Sequence, residues 1–257
     1  MNIYFDHVLG KQKNEDLIYS LVSATFDPEE WEYAFDNGWA PTPVWYPSNF
    51  DNNHSFIWYQ SRQTRINIKN YVCNKKTKKL VKNSPVVCKI SSCLLEDIDT
   101  IFEVYTSYCT KKNFGDAIDT PEGLLPYFQS EEPPVLLHFY LNNKLIGITK
   151  ISSWDSALFS EFFWWDYKDP SLSLGKLSFY LELEYAKNNK SAFLYTGFGY
   201  NSDSIYKSLK NGFEFWTGRK WSNNTELFQE LCLQDDSVTT LTDLAEYQYK
   251  YLNRMNI

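Results

Sequence analysis

Val135-Leu-Leu-His-Phe-Tyr-Leu-Asn-Asn-Lys-Leu-Ile-Gly-Ile-Thr-Lys-Ile-Ser152 reads as two strands and the turn between them. The runs Val135–Leu141 and Leu145–Ser152 suit a pleated, largely buried surface. Asn142-Asn143 supplies residues that accept the left-handed backbone of a tight hairpin. Leu158–Trp165 follows as a third strand. Downstream, Ser173 to about Lys187 predicts a helix, Ala192–Phe198 a strand, Ser204–Asn211 a short helix and Phe213–Trp216 a last strand. Three strands, a helix, a strand, a helix and a strand imply an α+β fold built on one sheet.

Working back from that stretch, Leu94–Tyr108 predicts an amphipathic helix on Leu95, Ile98, Phe102 and Tyr105. Lys75–Asn83 predicts another, with Pro85 as its stop. Phe56–Ile68 reads as one strand, preceded by irregular chain marked by Pro41, Pro43 and Pro47. Asp27-Pro28-Glu29-Glu30 is a helix start, and Gly38 can end that helix. At the far end, Thr240-Leu-Thr-Asp243 can cap a terminal helix bearing Leu241, Leu244, Tyr251 and Leu252. The expected division is an N-terminal basic module over 1–85, the sheet domain over 86–225, and an acidic helical tail over 226–257.

The chain has 257 residues and 46 Phe, Trp and Tyr together, enough for a sizeable core and too apolar for a disordered chain. Its longest apolar run, Val135–Leu141, is broken by His138 and falls far short of the roughly 20 residues that span a bilayer, so no membrane partner is expected. The first residues lack a basic and then apolar leader, and the five cysteines form no C-x-x-C pair. Together these predict a reducing, cytoplasmic setting, no disulfide framework, no metal site and no cofactor.

Charge is polarised along the chain. The net charge is −7, yet the 44 residues between Asp51 and Glu96 hold nine cations and no acid, which leaves −16 for the rest. Arg62, Arg65, Lys75, Lys76, Lys78, Lys79 and Lys82 lie in this window, interleaved with Trp58, Tyr59 and Tyr71. Such a face can hold a polyanion through its phosphates without reading its sequence. The alternative is a solvated lysine run.

Trp165-Asp166, then Leu172-Ser173-Leu174-Gly175, then Glu182, stand in an order and spacing that resembles the arginyl-tRNA–protein transferase family. Tyr195-Thr196-Gly197-Phe198, the Tyr206-Lys207 pair, and Gly38-Trp39 after the first helix are similar to further motifs of that family. So is Tyr59-Gln-Ser-Arg62-Gln-Thr-Arg65-Ile66 with the lysines that follow. The resemblance covers about residues 28–220. It departs from the family at Tyr167 and Lys168, where a Pro and an Asp are usual, and in lacking an N-terminal cysteine cluster. It implies a GNAT-like acyltransferase fold and a partner that is a charged tRNA, with arginyl-tRNA favoured. The acceptor would be a protein, a peptide or a small amine.

The resemblance assigns proton handling to Glu182, with Tyr206 and Lys207 at the reacting end. Asp166, Glu184, Ser173 and Phe198 would bind substrate, and the seven cations above would bind tRNA. On a helical wheel, Glu184 falls within the stripe of Leu177, Leu181 and Tyr185, and Glu182 at its rim. Salt bridges from Glu182 to Lys176 or Lys187 are the plain structural alternative. Aminolysis of an ester already activated on tRNA needs positioning, a proton acceptor and oxyanion stabilisation, and no covalent intermediate. Rival readings are an acyl-CoA-dependent enzyme of the same fold, a tRNA-dependent transferase acting on a metabolite, and an inactive binding module. The first is disfavoured because Leu172-Ser-Leu-Gly175-Lys-Leu177 lacks the first polar residue and the second small one of a pyrophosphate loop, which hinders close backbone approach.

Overall fold

The computed structural model describes residues 2–12, 15–43, 56–112, 118–128, 134–154, 157–238, 240 and 242–243. They form two compact units, Met1–Arg65 with Gly197–Ile257, and Ile66–Thr196. Each passage of the chain from one to the other falls inside a strand, where no linker composition marks it.

In the first unit, β1 (Asn2–Gln12) and β2 (Glu15–Thr25) pair antiparallel. A 3-10 turn over Pro28–Glu30 leads into α1 (Trp31–Asp36), and Glu30 Oε2 accepts a hydrogen bond from the Asp27 N–H at 3.1 Å. Gly38 ends this helix at φ +76°, where a Cβ would stand 2.3 Å from the Trp216 ring, so no other residue fits. β3 (Trp39–Pro43) and β4 (Phe56–Gln60) complete a sheet of order β1-β2-β4-β3. The segment with Pro41 and Pro43 is therefore a strand and not irregular chain. It lies at the sheet edge, where a missing N–H breaks no ladder. Trp58, fully buried, packs against the rings of Phe26, Trp31 and Phe35.

The single strand expected over 56–68 is two. The chain bends at Ser61-Arg62, and β5 (Gln63–Asn67) joins a different sheet. In the second unit, α2 (Lys75–Asn83) begins where Asn74 Oδ1 accepts from the Thr77 N–H at 2.8 Å. β6 (Val87–Ser91) has no sequence signature: it is a mostly exposed edge strand with no alternation to read. α3 (Ile98–Lys112) starts later than Leu94 because Asp97 accepts from the Thr100 N–H at 2.8 Å and caps it there. A 3-10 turn and α4 (Leu125–Phe128) follow.

β7 (Val135–Leu141), β8 (Lys144–Trp154) and β9 (Ala157–Trp165) form an antiparallel meander. α5 (Leu174–Asn188) crosses over, so that β10 (Phe193–Phe198) pairs parallel to β9. The strand order β10-β9-β8-β7-β6, with a helical crossover before the parallel strand, is a mixed α/β arrangement, as the succession of strands and helices predicts. α3 covers one face through Ile101, Val104 and Tyr105 against Ile148 and Trp164. α5 covers the other, where Ser178 meets Thr149, the neighbour of Ile148.

The chain ends, within the described residues, in the first unit. β11 (Phe213–Trp216) and β12 (Trp221–Ser222) pair antiparallel, and α6 (Thr225–Asp235) packs Phe228 on Phe213 and Phe215. The Thr240 and Asp243 side chains each accept from the other's backbone N–H, at 3.1 and 2.9 Å. Leu241 and the rest of the proposed terminal helix beyond 243 lie outside the described residues. Among the described residues no helix is long and apolar enough to cross a membrane.

The β7–β8 turn places Asn142 at φ 51° and Asn143 at φ 63°. Asn143→Gly should keep or raise stability, whereas Asn143→Val should lower it by about 1–2 kcal/mol through the left-handed backbone, measured by urea unfolding.

Candidate functional site

Glu182 lies at the middle of the buried face of α5, 3% exposed, beneath β8 and β9. The expectation that Glu184 is the inward carboxylate is reversed: Glu184 is half-buried, near Tyr71 and Tyr180. The buried stripe is Leu174, Leu177, Ser178, Phe179, Glu182, Leu183 and Ala186. A wheel weighted on apolar residues alone misses it because Ser178 and Glu182 are its polar centre.

The Ser178 hydroxyl donates to Glu182 Oε1 at 2.6 Å. Thr149 Oγ1 stands 3.3 Å from the same oxygen and donates to the Phe162 carbonyl at 2.9 Å. With one hydroxyl proton it serves one acceptor at a time. Burial raises the Glu182 carboxyl above the usual carboxylate range, against opposing hydrogen bonds from Ser178, Ser160 and Thr149. Among the described residues no cation pairs with it, neither Lys176 nor Lys187. Of these opposing effects desolvation is the larger, so the site eases protonation of this carboxyl relative to one in water.

At the end of β9, Trp165 stacks on Phe163 at 4.6 Å and meets Tyr167 at 4.7 Å and Tyr108 at 4.9 Å. Asp166 beside them is already engaged: its Oδ1 accepts from Ser107 Oγ at 3.0 Å and from the Lys168 N–H at 3.1 Å, and Oδ2 pairs with Lys168 Nζ at 3.1 Å. Burial pushes this carboxyl up, but the bonds from Lys168 and Ser107 outweigh it and hold Asp166 below the usual range. Ser173 takes the left-handed conformation, φ 51°, directly before α5. Gly175 faces solvent, and a Cβ there would meet only Trp165 at 3.9 Å.

Lys75, Lys76, Lys78, Lys79 and Lys82 are all exposed on α2. Arg62 and Arg65 are not, which corrects their expected place at phosphates. Arg62 is buried in a bidentate pair with Asp235, at 2.6 and 3.2 Å, and Arg65 Nε pairs with Glu214 at 2.8 Å under the Trp221 ring. Asp235 Oδ2 also accepts from the Asn201 N–H at 2.9 Å, and Arg62 donates to the Gly199 carbonyl at 3.2 Å. This brace holds the turn between half-buried Phe198 and the 3-10 segment Ser202–Leu209. On that segment Tyr206 is exposed and Lys207 is buried, its Nζ donating to the Phe198 carbonyl at 2.6 Å. Burial lowers the Lys207 amine to about 8.

Glu182, Glu184, Asp166, Ser173 and the α2 lysines thus belong to one unit, and Phe198, Tyr206, Lys207, Arg62 and Arg65 to the other. Within the second unit, Glu182 and Asp166 keep separate hydrogen-bond partners. Sequence reasoning missed the polar groups around them: buried Thr149, Ser178 and Lys150, and half-buried Glu161. The signal for the last two was present, since each is a lone charge inside a strongly apolar strand.

Residues 100–209, which include Glu182, Asp166 and Lys207, match the family model described as arginine-tRNA-protein transferase, C terminus. Similar curated proteins include the aspartate/glutamate leucyltransferase of Shewanella putrefaciens, 25% identical over 165 residues, 61% of this chain and 68% of that protein. The protein of the same name from Shewanella oneidensis is 25% identical over 164 residues, 61% of this chain and 67% of that one. Similar solved structures include FemX, at TM-score 0.49 and 9% identity over 89% of this chain and 90% of that one. L-PGS from Bacillus licheniformis has TM-score 0.41 and 9% identity, covering 66% of this chain and 49% of that one.

Two stability tests follow from these environments. Because the folded Glu182 binds its proton more tightly than the unfolded chain does, its contribution is full below the unfolded value of 4.5 and declines as pH rises from there toward the folded value. Glu182→Gln should flatten that decline in pH-dependent thermal unfolding. Asp235→Asn leaves Arg62 buried without its counter-charge and should cost about 3–5 kcal/mol in chemical denaturation.

Proposed function

We propose that this chain moves an aminoacyl group from the 3′ ester of a charged tRNA to the α-amine of a protein or peptide. The observation that carries the reading is the position of Glu182, a carboxyl buried under the sheet among hydroxyls, inside the segment that matches the transferase family's model. Attack of a neutral amine on the ester carbon gives a tetrahedral oxyanion. The attacking nitrogen gives up a proton, and collapse breaks the bond to the ribose oxygen, which takes up that proton as the amide forms. A neutral carboxyl in a water-poor site can donate a hydrogen bond to the oxyanion as charge develops, which is where such a bond lowers the barrier most.

The exposed lysines of α2 suit the tRNA backbone, each neutralised phosphate releasing counterions. Tyr206, Lys207, Ser173 and Phe198 are assigned to the aminoacyl end of the tRNA by their motif positions.

Two aminoacyl groups are in question. Arginine is favoured by the family description, and leucine by the names of the two curated relatives. Asp166 supports leucine, since the acid that would meet a guanidinium is engaged by Lys168 and Ser107 while the rings beside it offer an apolar shelf. The relatives' names likewise support an acceptor that begins with Asp or Glu.

The test is transfer of labelled leucine or arginine from tRNA to peptides beginning with Asp or Glu. Leucyl transfer is expected, with Glu182→Ala, which removes the donor that Glu182→Gln would keep, lowering kcat by about 10²–10³-fold and leaving KM for the peptide nearly unchanged. Turnover of acetyl-CoA with no transfer from any aminoacyl-tRNA would overturn the proposal. Changing the five α2 lysines to Gln should reduce the salt dependence of tRNA binding by about 0.7–0.9 in log–log slope for each phosphate no longer neutralised.

A further inference from the structure

Thr149, at the middle of β8, is fully buried, and its hydroxyl has one proton for three acceptors. The Phe162 carbonyl on β9 stands at 2.9 Å, and Glu182 Oε1 and Ser178 Oγ stand at 3.3 Å each. Ser178 is committed to Glu182 at 2.6 Å. The Thr149 proton therefore lies toward Phe162, along the shortest of the three contacts, and its lone pairs face the carboxyl. The register of β8 and β9 shifts beside this point, from Lys150 opposite Phe162 to Ile151 opposite Ser160, so Glu161 is the extra residue of a β-bulge.

This geometry responds to the charge on Glu182. A neutral carboxyl can share its proton with the Thr149 oxygen while Thr149 keeps its bond to Phe162. An ionised carboxyl meets lone pairs there unless the hydroxyl rotates, gives up Phe162 and donates to Oε1. A hydrogen bond to a charged oxygen is stronger than one to a carbonyl, so the rotation follows the charge. The titratable groups around Glu182 are held apart from this exchange. Cys88 on β6 feels the Glu182 charge, but burial pushes that thiol up to about 12 and keeps it neutral. Lys150 on β8 and Glu161 on β9 pair with each other at 2.9 Å on the other face. Glu184 on α5 lies near Tyr71 and Tyr180.

We propose that Thr149 is a positioning residue for Glu182, its hydroxyl turning from the Phe162 carbonyl to Oε1 as negative charge moves onto the carboxyl. In the transfer reaction that moment comes when Glu182 shares its proton with the oxyanion. The bond from Thr149 is then gained in the transition state and absent before it, which is the condition for raising kcat. The role of Glu182 rests on the transferase reading; the turn itself requires neither tRNA nor acceptor.

The experiment is a carbon-13 titration of the Glu182 carboxyl in the full chain without tRNA, the signal assigned by its loss in Glu182→Gln. Thr149→Val keeps the side-chain shape, removes the donor and should raise the midpoint by about one pH unit. Thr149→Ser restores the donor and should bring the midpoint back. A side chain that only fills space would leave the midpoint of Thr149→Val unmoved, which would overturn the proposal, as would equal midpoints in the Val and Ser variants. Should Thr149→Val fail to fold, Thr149→Cys, whose thiol is a weak donor, is expected to give a smaller upward shift, and no shift there would overturn the proposal equally. In the transfer assay Thr149→Val should lower kcat by about tenfold with KM unchanged, and no further in a Glu182→Ala background. An equal loss in that background would overturn the proposal. A moved midpoint in a chain that transfers from no aminoacyl-tRNA would defeat the transferase reading alone, and transfer with an unmoved midpoint would defeat this one alone.

Discussion

The β-bulge between β8 and β9 decides where the polar side chains of the second unit point. Side chains alternate along a strand, so Trp164 and Phe162 share the α3 face, and strict alternation would put Ser160 there as well. The extra residue, Glu161, breaks that phase. Ser160 is turned to the α5 face, where it reaches Glu182, and Glu161 is left to meet Lys150 and Ser152. Deleting one residue at this point would flip the partners on both faces at once, because a one-residue slip exchanges the two sides of a strand. The hydroxyl shell of Glu182 and the salt bridge of Lys150 therefore depend on the same local irregularity.

Each face handles its buried carboxyl differently. Glu161 is held next to a cation, while Glu182 has only hydroxyls, so burial acts on it with little compensation. Two carboxyls in different environments respond differently to pH: the one beside a cation is drawn back toward its ordinary range, the other is left raised by burial. The ester on a charged tRNA is already activated, so a site of this kind needs no nucleophilic side chain. The weight falls on orientation and on the field felt by the developing oxyanion.

How far the sequence can be read depends on whether each segment has one face against something apolar. The β7–β8 hairpin, β9, β11 and α2 are legible because a turn pair, a cap or a continuous apolar run marks them. β6 is not, since an exposed edge strand has no pattern to show, and β3 is hidden by prolines that only an edge position tolerates. Arg62 and Arg65 look like members of a basic patch when counted along the chain. Their partners, Asp235 and Glu214, come from sequence positions about 150 or more residues away, which no local window contains. Motif spacing points to Glu182 while the helical wheel misplaces it, because a wheel that counts only apolar residues assumes a dry interface. Here Ser178 and Thr149 make a polar one.

The same distance effect limits what the matched segment alone can specify. Residues 100–209 include Lys207 and the turn at Gly199, but not Arg62 or Asp235, which fix that turn from outside the match. Arg62 is bound at its guanidinium by Asp235, and its backbone carbonyl accepts from the Gly199 N–H at 2.8 Å, so one residue clamps the turn from two sides. The Cys232 thiol, one helical turn before Asp235, lies against the same Gly199 carbonyl, and burial pushes it up to about 12, which keeps it a neutral packing group. A chain cut before α6 would leave Arg62 as an uncompensated buried charge. Lys207 would then sit on a segment whose entry turn had lost its anchor, so the acidic C-terminal region is part of what positions the motif rather than an appendage to it.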